Sequence, residues 1–331
     1  MNNVRPAVSP AANPAANGVR PVVSGAAAIP FVAVLGPTAA GKSALALDLA
    51  MRLDGEIVAC DSLQIYRGMD IGTGKPTRDE QRQVPHHLLD LANPDQPFHA
   101  ARWAALAGDA IAAIAARGRL AIVAGGTGLY YRALTVGLFE APPSDEAIRD
   151  RHRALAADLG IEAMHAQLAA IDPATAAAIS PRDLVRISRA LEVHEQTGVT
   201  VSALKERQRL PARWRPFAVV LDPPLPALRE RIAARVAGMM AAGFLDEVRA
   251  LHAAGYGAAC KPMQALGYRQ LGAHLAGAGL LDEAVTATIA ATVAYARRQR
   301  TWFRKEAAAA RLAVEPVVSD LVTAIAEARA S

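Results

Sequence analysis

One octapeptide limits the fold of this chain more than any other feature: Gly36-Pro37-Thr38-Ala39-Ala40-Gly41-Lys42-Ser43, the pattern G-x4-G-K-S. It follows Ile29 to Leu35, an unbroken apolar, β-branched run suited to a parallel strand covered on both faces. It precedes Ala44 to Leu53, where apolar residues recur at helical spacing. A glycine-rich loop between strand and helix is the setting in which this pattern wraps phosphate; outside it the same residues make an ordinary turn. The glycines let backbone N–H groups turn inward, the start of the helix adds a positive field, Lys42 adds a point charge, and the Ser43 hydroxyl offers an oxygen to magnesium. The loop is therefore expected to hold a diphosphate or triphosphate. It does not name the rest of the ligand.

Further apolar runs repeat the strand pattern. Glu56 to Ala59 ends at Cys60-Asp61-Ser62, Arg119 to Ala124 ends at Gly125-Gly126-Thr127-Gly128, and Phe217 to Leu221 is closed by Asp222-Pro223-Pro224, with a long alanine-rich helix read over Ala100 to Ala116. Strand and helix in alternation predict an α/β fold, a doubly wound parallel sheet with helices on both faces. Ligands on such sheets gather at the carboxyl ends of the strands, where Gly36, Asp61 and Thr127 all emerge. From Pro142 to about Arg215 the pattern changes to charged amphipathic helices, including Ser180 to Gln196 with Arg182, Arg186 and Arg189 at helical spacing. The expected organisation is a disordered tail over 1–28, a core from 29–141 and 216–331, and an inserted helical lobe over 142–215.

With 52% hydrophobic and 20% charged residues, the chain has the means to bury a core and is not a disordered polyelectrolyte. Its apolar excess is largely alanine, and the best membrane candidate, Ala284 to Ala296, falls well short of the ~20 residues a bilayer needs. The tail lacks the leucine-rich segment of a signal peptide. The two cysteines, Cys60 and Cys260, are far apart, which encodes neither a disulfide framework nor a zinc site. A cytoplasmic protein without membrane contact is expected. Lys and Arg outnumber Asp and Glu by 36 to 31. The basic residues cluster at Lys205, Arg207, Arg209, Arg213 and Arg215, and again at Arg297, Arg298, Arg300, Arg304 and Lys305 beside Tyr295, Trp302 and Phe303. Such clusters face RNA phosphates or simply solvent. His86 and His87, adjacent in an extended segment, point apart and suit packing better than a shared metal.

Asp61 begins where a strand stops, so its carboxylate faces the phosphate loop. It can serve as a magnesium ligand, as a general base toward an amine or hydroxyl nucleophile, or as a helix cap. Ser62 and Gln64 suit hydrogen bonding to base edges and equally suit a turn.

Five segments in order and in register carry a specific resemblance: CDSLQIYRGMDIGTGKP at Cys60 to Pro76, Pro85-His86-His87-Leu88-Leu89-Asp90, GGTGLY at Gly125 to Tyr130, SRALEV at Ser188 to Val193, and ALGYRQ at Ala265 to Gln270. Together they resemble the tRNA dimethylallyltransferase family, over about Pro30 to Lys305. The resemblance implies a P-loop NTPase-like core whose loop, Gly36 to Ser43, holds the diphosphate of dimethylallyl diphosphate, with Lys42 and the amides near Gly41 on the leaving group and Mg2+ on Ser43. It implies transfer of the dimethylallyl group to N6 of the adenosine 3′ of the anticodon in tRNA. Asp61 becomes the base, Thr127 a hydrogen-bonding partner of the diphosphate or the amine, and Arg235 a further diphosphate contact. Contacts to the anticodon stem-loop fall on Asp61, Ser62, Leu63 and Gln64, on Val185, Arg186, Ile187, Ser188 and Arg189, and on Gln264, Ala265, Leu266, Gly267, Tyr268 and Arg269. A monomer is expected. Val185 stands where many relatives have glutamine, and Gly74 replaces a commoner alanine. Two rival readings share these features: a P-loop kinase of a small metabolite or nucleoside, which needs ATP, and a non-catalytic, nucleotide-gated RNA-binding protein, in which Asp61 is dispensable.

Overall fold

The computed structural model describes residues 31–139, 141–207, 214, 216–313 and 318–330. The proposed tail over 1–28 and the basic residues Arg209, Arg213 and Arg215 lie outside them. Two compact units divide the chain: 31–135 together with 214–330, and 136–213.

Among the described residues the first unit is built on six strands, β1 (Val32–Leu35), β2 (Gly55–Cys60), β3 (His86–His87), β4 (Leu120–Gly125), β5 (Phe217–Leu221) and β6 (Ala310–Leu312). They lie in the order β3-β2-β4-β1-β5-β6, and every neighbouring pair is parallel. Of the run read over Ile29 to Leu35, Val32–Leu35 pairs as a strand, while Ile29 and Pro30 lie outside the described residues. Side chains of the sheet alternate between two apolar layers, as the pleat requires. Phe31, Ala33 and Leu35 join Trp103, Ile111 and Ile114 of the helix Ala100–Ala116, along with Phe244 and Tyr268. Val32 and Val34 join Leu45 and Leu49 of the helix Lys42–Arg52, Leu228 and Ile232 of the helix Leu225–Ala241, and Leu321 and Ile325 of the helix Val318–Ala330. Helices therefore cover both faces. Trp103 is fully buried, stacked on Tyr130 at 5.1 Å, and its indole N–H donates to the Ala59 carbonyl at 3.0 Å.

At the amino ends of the strands a charged stitch replaces apolar packing. Glu56, only 2% exposed, meets Arg117, Arg119 and His87, whose Nε2 lies 2.6 Å from the carboxylate. Burial pushes this carboxyl up, but hydrogen bonds from Arg117, His87 and Arg119 outweigh it and hold the group down at about 2. His86 turns instead toward the Val84 carbonyl at 2.8 Å, so the two imidazoles do pack apart.

The second unit consists of the helices Glu146–Leu159, Ile161–Ile171, Pro173–Ala178, Leu184–Thr197 and Val201–Arg207 around its own core, which includes Met164, Leu168, Ile187, Leu191 and Val193. Phe139 and Ala141 pack into that core, which moves the boundary ahead of the expected residue 142. The helix read from Ser180 begins only at Leu184, because Asp183 caps it by accepting the Arg186 N–H at 3.1 Å. Among the described residues no helix is long and apolar enough to cross a membrane, and Ala284 to Ala296 lies within the helix Leu281–Phe303.

Candidate active site

Three strands deliver the site at one level. Leu35 of β1 and Cys60 of β2 both pair with Gly125 of β4. The next residues along each strand, Gly36, Asp61 and Gly126, therefore leave the sheet side by side. Gly125 must lack a side chain, since a Cβ there would overlap the Cys60 carbonyl.

Beyond β1 the phosphate loop turns into the helix Lys42–Arg52 through Gly41, which is left-handed with φ 93°. The first helical bond runs from Leu45 N–H to the Gly41 carbonyl at 3.1 Å, which leaves the N–H groups of Gly41, Lys42, Ser43 and Ala44 ahead of it as the orphan donors of a helix start. The earlier half of the loop differs from the simple expectation that Gly36 to Ser43 all hold phosphate. Pro37 has no N–H, Ala40 N–H closes a turn on the Pro37 carbonyl at 3.3 Å, and Thr38 donates its own N–H to the Gln299 side chain at 2.9 Å. The helix-start amides from Gly41 onward are the main run of donors open to an anion. Lys42 Nζ curls back to the Pro37 carbonyl at 2.7 Å. Burial lowers this amine to about 8, against the raising field of Asp61 and with a lowering contribution from Arg235.

Asp61 both shapes its turn and faces the site. Its Oδ1 accepts the Leu63 N–H at 2.8 Å, while its charge is felt at Lys42, Tyr130, Tyr295 and Arg235. The capping and chemical readings are thus compatible. Thr127 Oγ1 accepts the Ser62 N–H at 3.1 Å, which ties the end of β4 to the Asp61 turn and leaves the hydroxyl hydrogen to donate elsewhere. Cys60 is fully buried, its Sγ set 3.7 Å from the Thr127 carbonyl, and burial pushes its thiol strongly upward.

The segment after Asp61 folds back on itself. Gln64 does not present its amide hydrogens to a ligand; Nε2 donates to the Gly74 carbonyl at 3.1 Å and sits 3.4 Å from that of Thr73. Leu63 is half-buried against the main core. Arg235, on the helix Leu225–Ala241, lies 3.5 Å from the Thr73 carbonyl, and a Cβ at Gly74 would overlap its guanidinium. The glycine found in place of the commoner alanine lets that arginine approach. The loop is held from outside by Glu247, whose carboxylate accepts the N–H groups of Asp70, Ile71 and Gly72 at 2.9, 2.6 and 3.1 Å and the Tyr268 hydroxyl at 2.6 Å. Burial and the Glu247 charge push the Tyr268 phenol far up, which keeps it a donor.

The expected tRNA contacts divide by burial. Tyr268 and Gly267 are buried and the Tyr268 hydroxyl is taken by Glu247, whereas Gln264 and Arg269 are exposed and Ala265 and Leu266 half-exposed. In the second unit the helical period separates five neighbours. Val185 is 79% exposed and Arg186 is exposed, but Ile187 is fully buried and Ser188 is buried with its hydroxyl 2.9 Å from His152 Nδ1. Arg189 is half-buried on Glu192 and the Pro142 carbonyl at 2.9 and 2.5 Å. The side chains of Ile187 and Ser188 are committed to the lobe interior. In and just after the helix Leu281–Phe303, Arg300 and Arg304 pair with Asp222, while Arg297, Arg298 and Lys305 are exposed.

Sequence reasoning missed Gln299 and Glu247. Glu247 reads as an ordinary acid in the first turn of the helix Phe244–Ala253, and Gln299 as one polar residue in a basic helix.

The chain is similar in sequence and in fold to known proteins. A family model described as IPP transferase matches residues 64–306, and one described as isopentenyl transferase matches 30–93. The chain is 50% identical over 300 residues to the tRNA dimethylallyltransferase of Anaeromyxobacter sp. (strain K), covering 90% of this chain and 98% of that protein. It is 49% identical over 279 residues to the tRNA dimethylallyltransferase of Geobacter metallireducens, covering 83% and 90%. Among solved structures it is similar to the tRNA isopentenylpyrophosphate transferase of Bacillus halodurans, with 35% identity, a TM-score of 0.64 and coverage of 91% and 96%. It is also similar to a eukaryotic dimethylallyltransferase acting on tRNA, with 25% identity, a TM-score of 0.67 and coverage of 82% and 69%. On these grounds, and as its motif order predicted, the chain belongs to the IPP transferase family.

Proposed function

We propose that this protein transfers the dimethylallyl group of dimethylallyl diphosphate to N6 of the adenosine 3′ of the anticodon in tRNA, as a monomer in the cytoplasm. The observation that carries the reading is the shared level at which the phosphate loop, Asp61 and the Gly126-Thr127 segment leave the sheet. An anion cradle and a carboxylate thereby emerge at the same level on either side of β4. In the reaction the allylic C–O bond breaks with its electron pair going to the diphosphate, the new bond forms from N6, and the N6 proton passes to the Asp61 carboxylate. The developing negative charge meets the amides of Gly41 to Ala44 and Lys42. The N6 lone pair is delocalised into the adenine ring, so positioning and proton removal both matter.

Ser43 is exposed in the first helical turn beside Lys42, and among the described residues no group of three or more His, Cys, Asp or Glu could cage a metal. That donor set suits Mg2+, which keeps most of its waters and binds through one protein oxygen and substrate phosphates. Bound there, it would neutralise charge on the diphosphate, with Ser43 as its protein ligand. Val185, Arg186, Gln264 and Arg269 are the expected RNA-facing side chains, and Arg235 remains the expected extra diphosphate contact.

The direct test incubates the protein with Mg2+, labelled dimethylallyl diphosphate and unmodified tRNA. Label is expected in adenosine, with free diphosphate released in equal amount. ATP consumption with a small acceptor, and no label in RNA, would overturn the reading in favour of a kinase; RNA binding with neither reaction would favour the binding-protein alternative. A pH dependence accompanies it. Lys42 is charged below about 8 and neutral above it, so affinity for the diphosphate is present at lower pH and lost as pH rises through that value. The KM for dimethylallyl diphosphate should climb above pH 8 in the native protein and lose that inflection in Lys42→Met. A KM flat from pH 7 to 9.5 would rule out Lys42 as the titrating contact.

A further inference from the structure

Past the last rung shared by Leu35 and Gly125, β1 and β4 have no further ladder between them, and a side chain takes over. Gln299, on the helix Leu281–Phe303, is 7% exposed. Its Oε1 accepts the Thr38 N–H at 2.9 Å, and its Nε2 donates to the Gly126 carbonyl at 2.8 Å. Only a carboxamide places an acceptor and a donor so close together that it can imitate a peptide group in this way. Ala296 and Phe303 on the same helix are buried, which fixes the helix against the core, and the Gln299 amide also lies against the Tyr295 hydroxyl. The fit is tight, since a Cβ at Gly126 would come within 2.5 Å of Nε2.

The two groups joined belong to opposite halves of the reaction. Thr38 lies in the loop whose later amides cradle the leaving group. Gly126 precedes Thr127, whose hydroxyl oxygen is bonded to the Asp61 turn. We propose that Gln299 is a positioning residue that sets the separation between the diphosphate cradle and the Asp61–Thr127 pair, and so the distance between the departing oxygen and the attacking nitrogen. It touches neither substrate. By taking the Thr38 N–H, it also directs the diphosphate to the later half of the loop. A misplacement of about 1 Å between reacting groups can cost about a hundredfold in rate, so the effect belongs in kcat and not in the capture of either substrate.

The inference rests on the prenyl-transfer reading, and the test separates the two. Initial rates at saturating tRNA and dimethylallyl diphosphate are compared for the native protein, Gln299→Met, which keeps length without either hydrogen bond, and Gln299→Glu, which keeps the acceptor and repels the Gly126 carbonyl. Both variants should lose about 30- to 100-fold in kcat per folded molecule, with KM for dimethylallyl diphosphate and Kd for tRNA within about threefold of native. A double-mutant cycle supplies a readout that simple destabilisation would not produce. Gly126→Ala should slow the native protein mainly by crowding Nε2, and so should cost much less in a Gln299→Ala background, where only the milder 3.3 Å approach to the Gly36 carbonyl remains. If the native protein transfers label and Gln299→Met matches its kcat, or if the effects of Gly126→Ala and Gln299→Ala multiply, the inference is wrong while the function stands. If the native protein transfers no label, both fall.

Discussion

Asp61→Asn is expected to lower dimethylallyl transfer by at least about a hundredfold, the scale of losing a general base, while tRNA affinity stays within about threefold of native. The substitution isolates chemistry from architecture. An asparagine Oδ1 can still accept the Leu63 N–H that the aspartate now holds at 2.8 Å, so the turn after β2 survives. The neutral amide cannot take the N6 proton. It also removes the field that now raises Lys42, which leaves that amine less charged and weakens the cradle as well. Single-turnover transfer of labelled substrate, with filter binding of the same tRNA, measures both quantities. A variant that transfers at the native rate would remove Asp61 from the proton path and leave it as a cap.

The second large effect concerns stability and falls on a residue outside every motif. Glu247→Ala removes the acceptor shared by three consecutive backbone N–H groups and the Tyr268 hydroxyl. Hydrogen bonds to a charged group contribute about 1.5–3 kcal/mol each, and donors left unmet inside a fold incur the desolvation cost as well. Because the loop can relax partly toward water, about 3–5 kcal/mol of unfolding free energy is expected to be lost. Glu247→Gln, which keeps one acceptor oxygen, should fall between the two. Urea titration checks the order. Loss of the clasp should also weaken binding of the diphosphate substrate, because Arg235 lies beside Thr73 and Gly74 in the segment that Glu247 holds. An unfolding free energy within 1 kcal/mol of native would show that the loop is held by its own contacts.

Much of this was legible in the sequence because the signals are local. A run such as Phe217 to Leu221 is apolar throughout and appears as a strand with those bounds. The helix Ala100–Ala116 follows from its alanines and the turn residues that bracket it. The phosphate loop and Asp61 announce themselves by position at strand ends, and register does the rest. What was not legible depends on partners far along the chain. Gln64 looks free until the Thr73 and Gly74 carbonyls fold onto it. Tyr268 sits in a segment expected to contact RNA, yet it points inward to a carboxylate that no local pattern marks. Ile187 and Ser188 adjoin exposed Val185 and Arg186, and only the packed lobe shows which side of the helix is inside. Gln299 acts across 261 positions of sequence.

The state of Cys60 carries a consequence for anyone studying the protein in solution. Its sulfur is sealed beneath the reacting groups and held as the thiol, so mild oxidants and alkylating reagents find no nucleophile at the centre of the chemistry. Cys260, the second of the two cysteines, is partly open to solvent. A maleimide dye should therefore attach at Cys260 alone, giving a single optical reporter beside the Gln264 to Arg269 segment without any engineered cysteine.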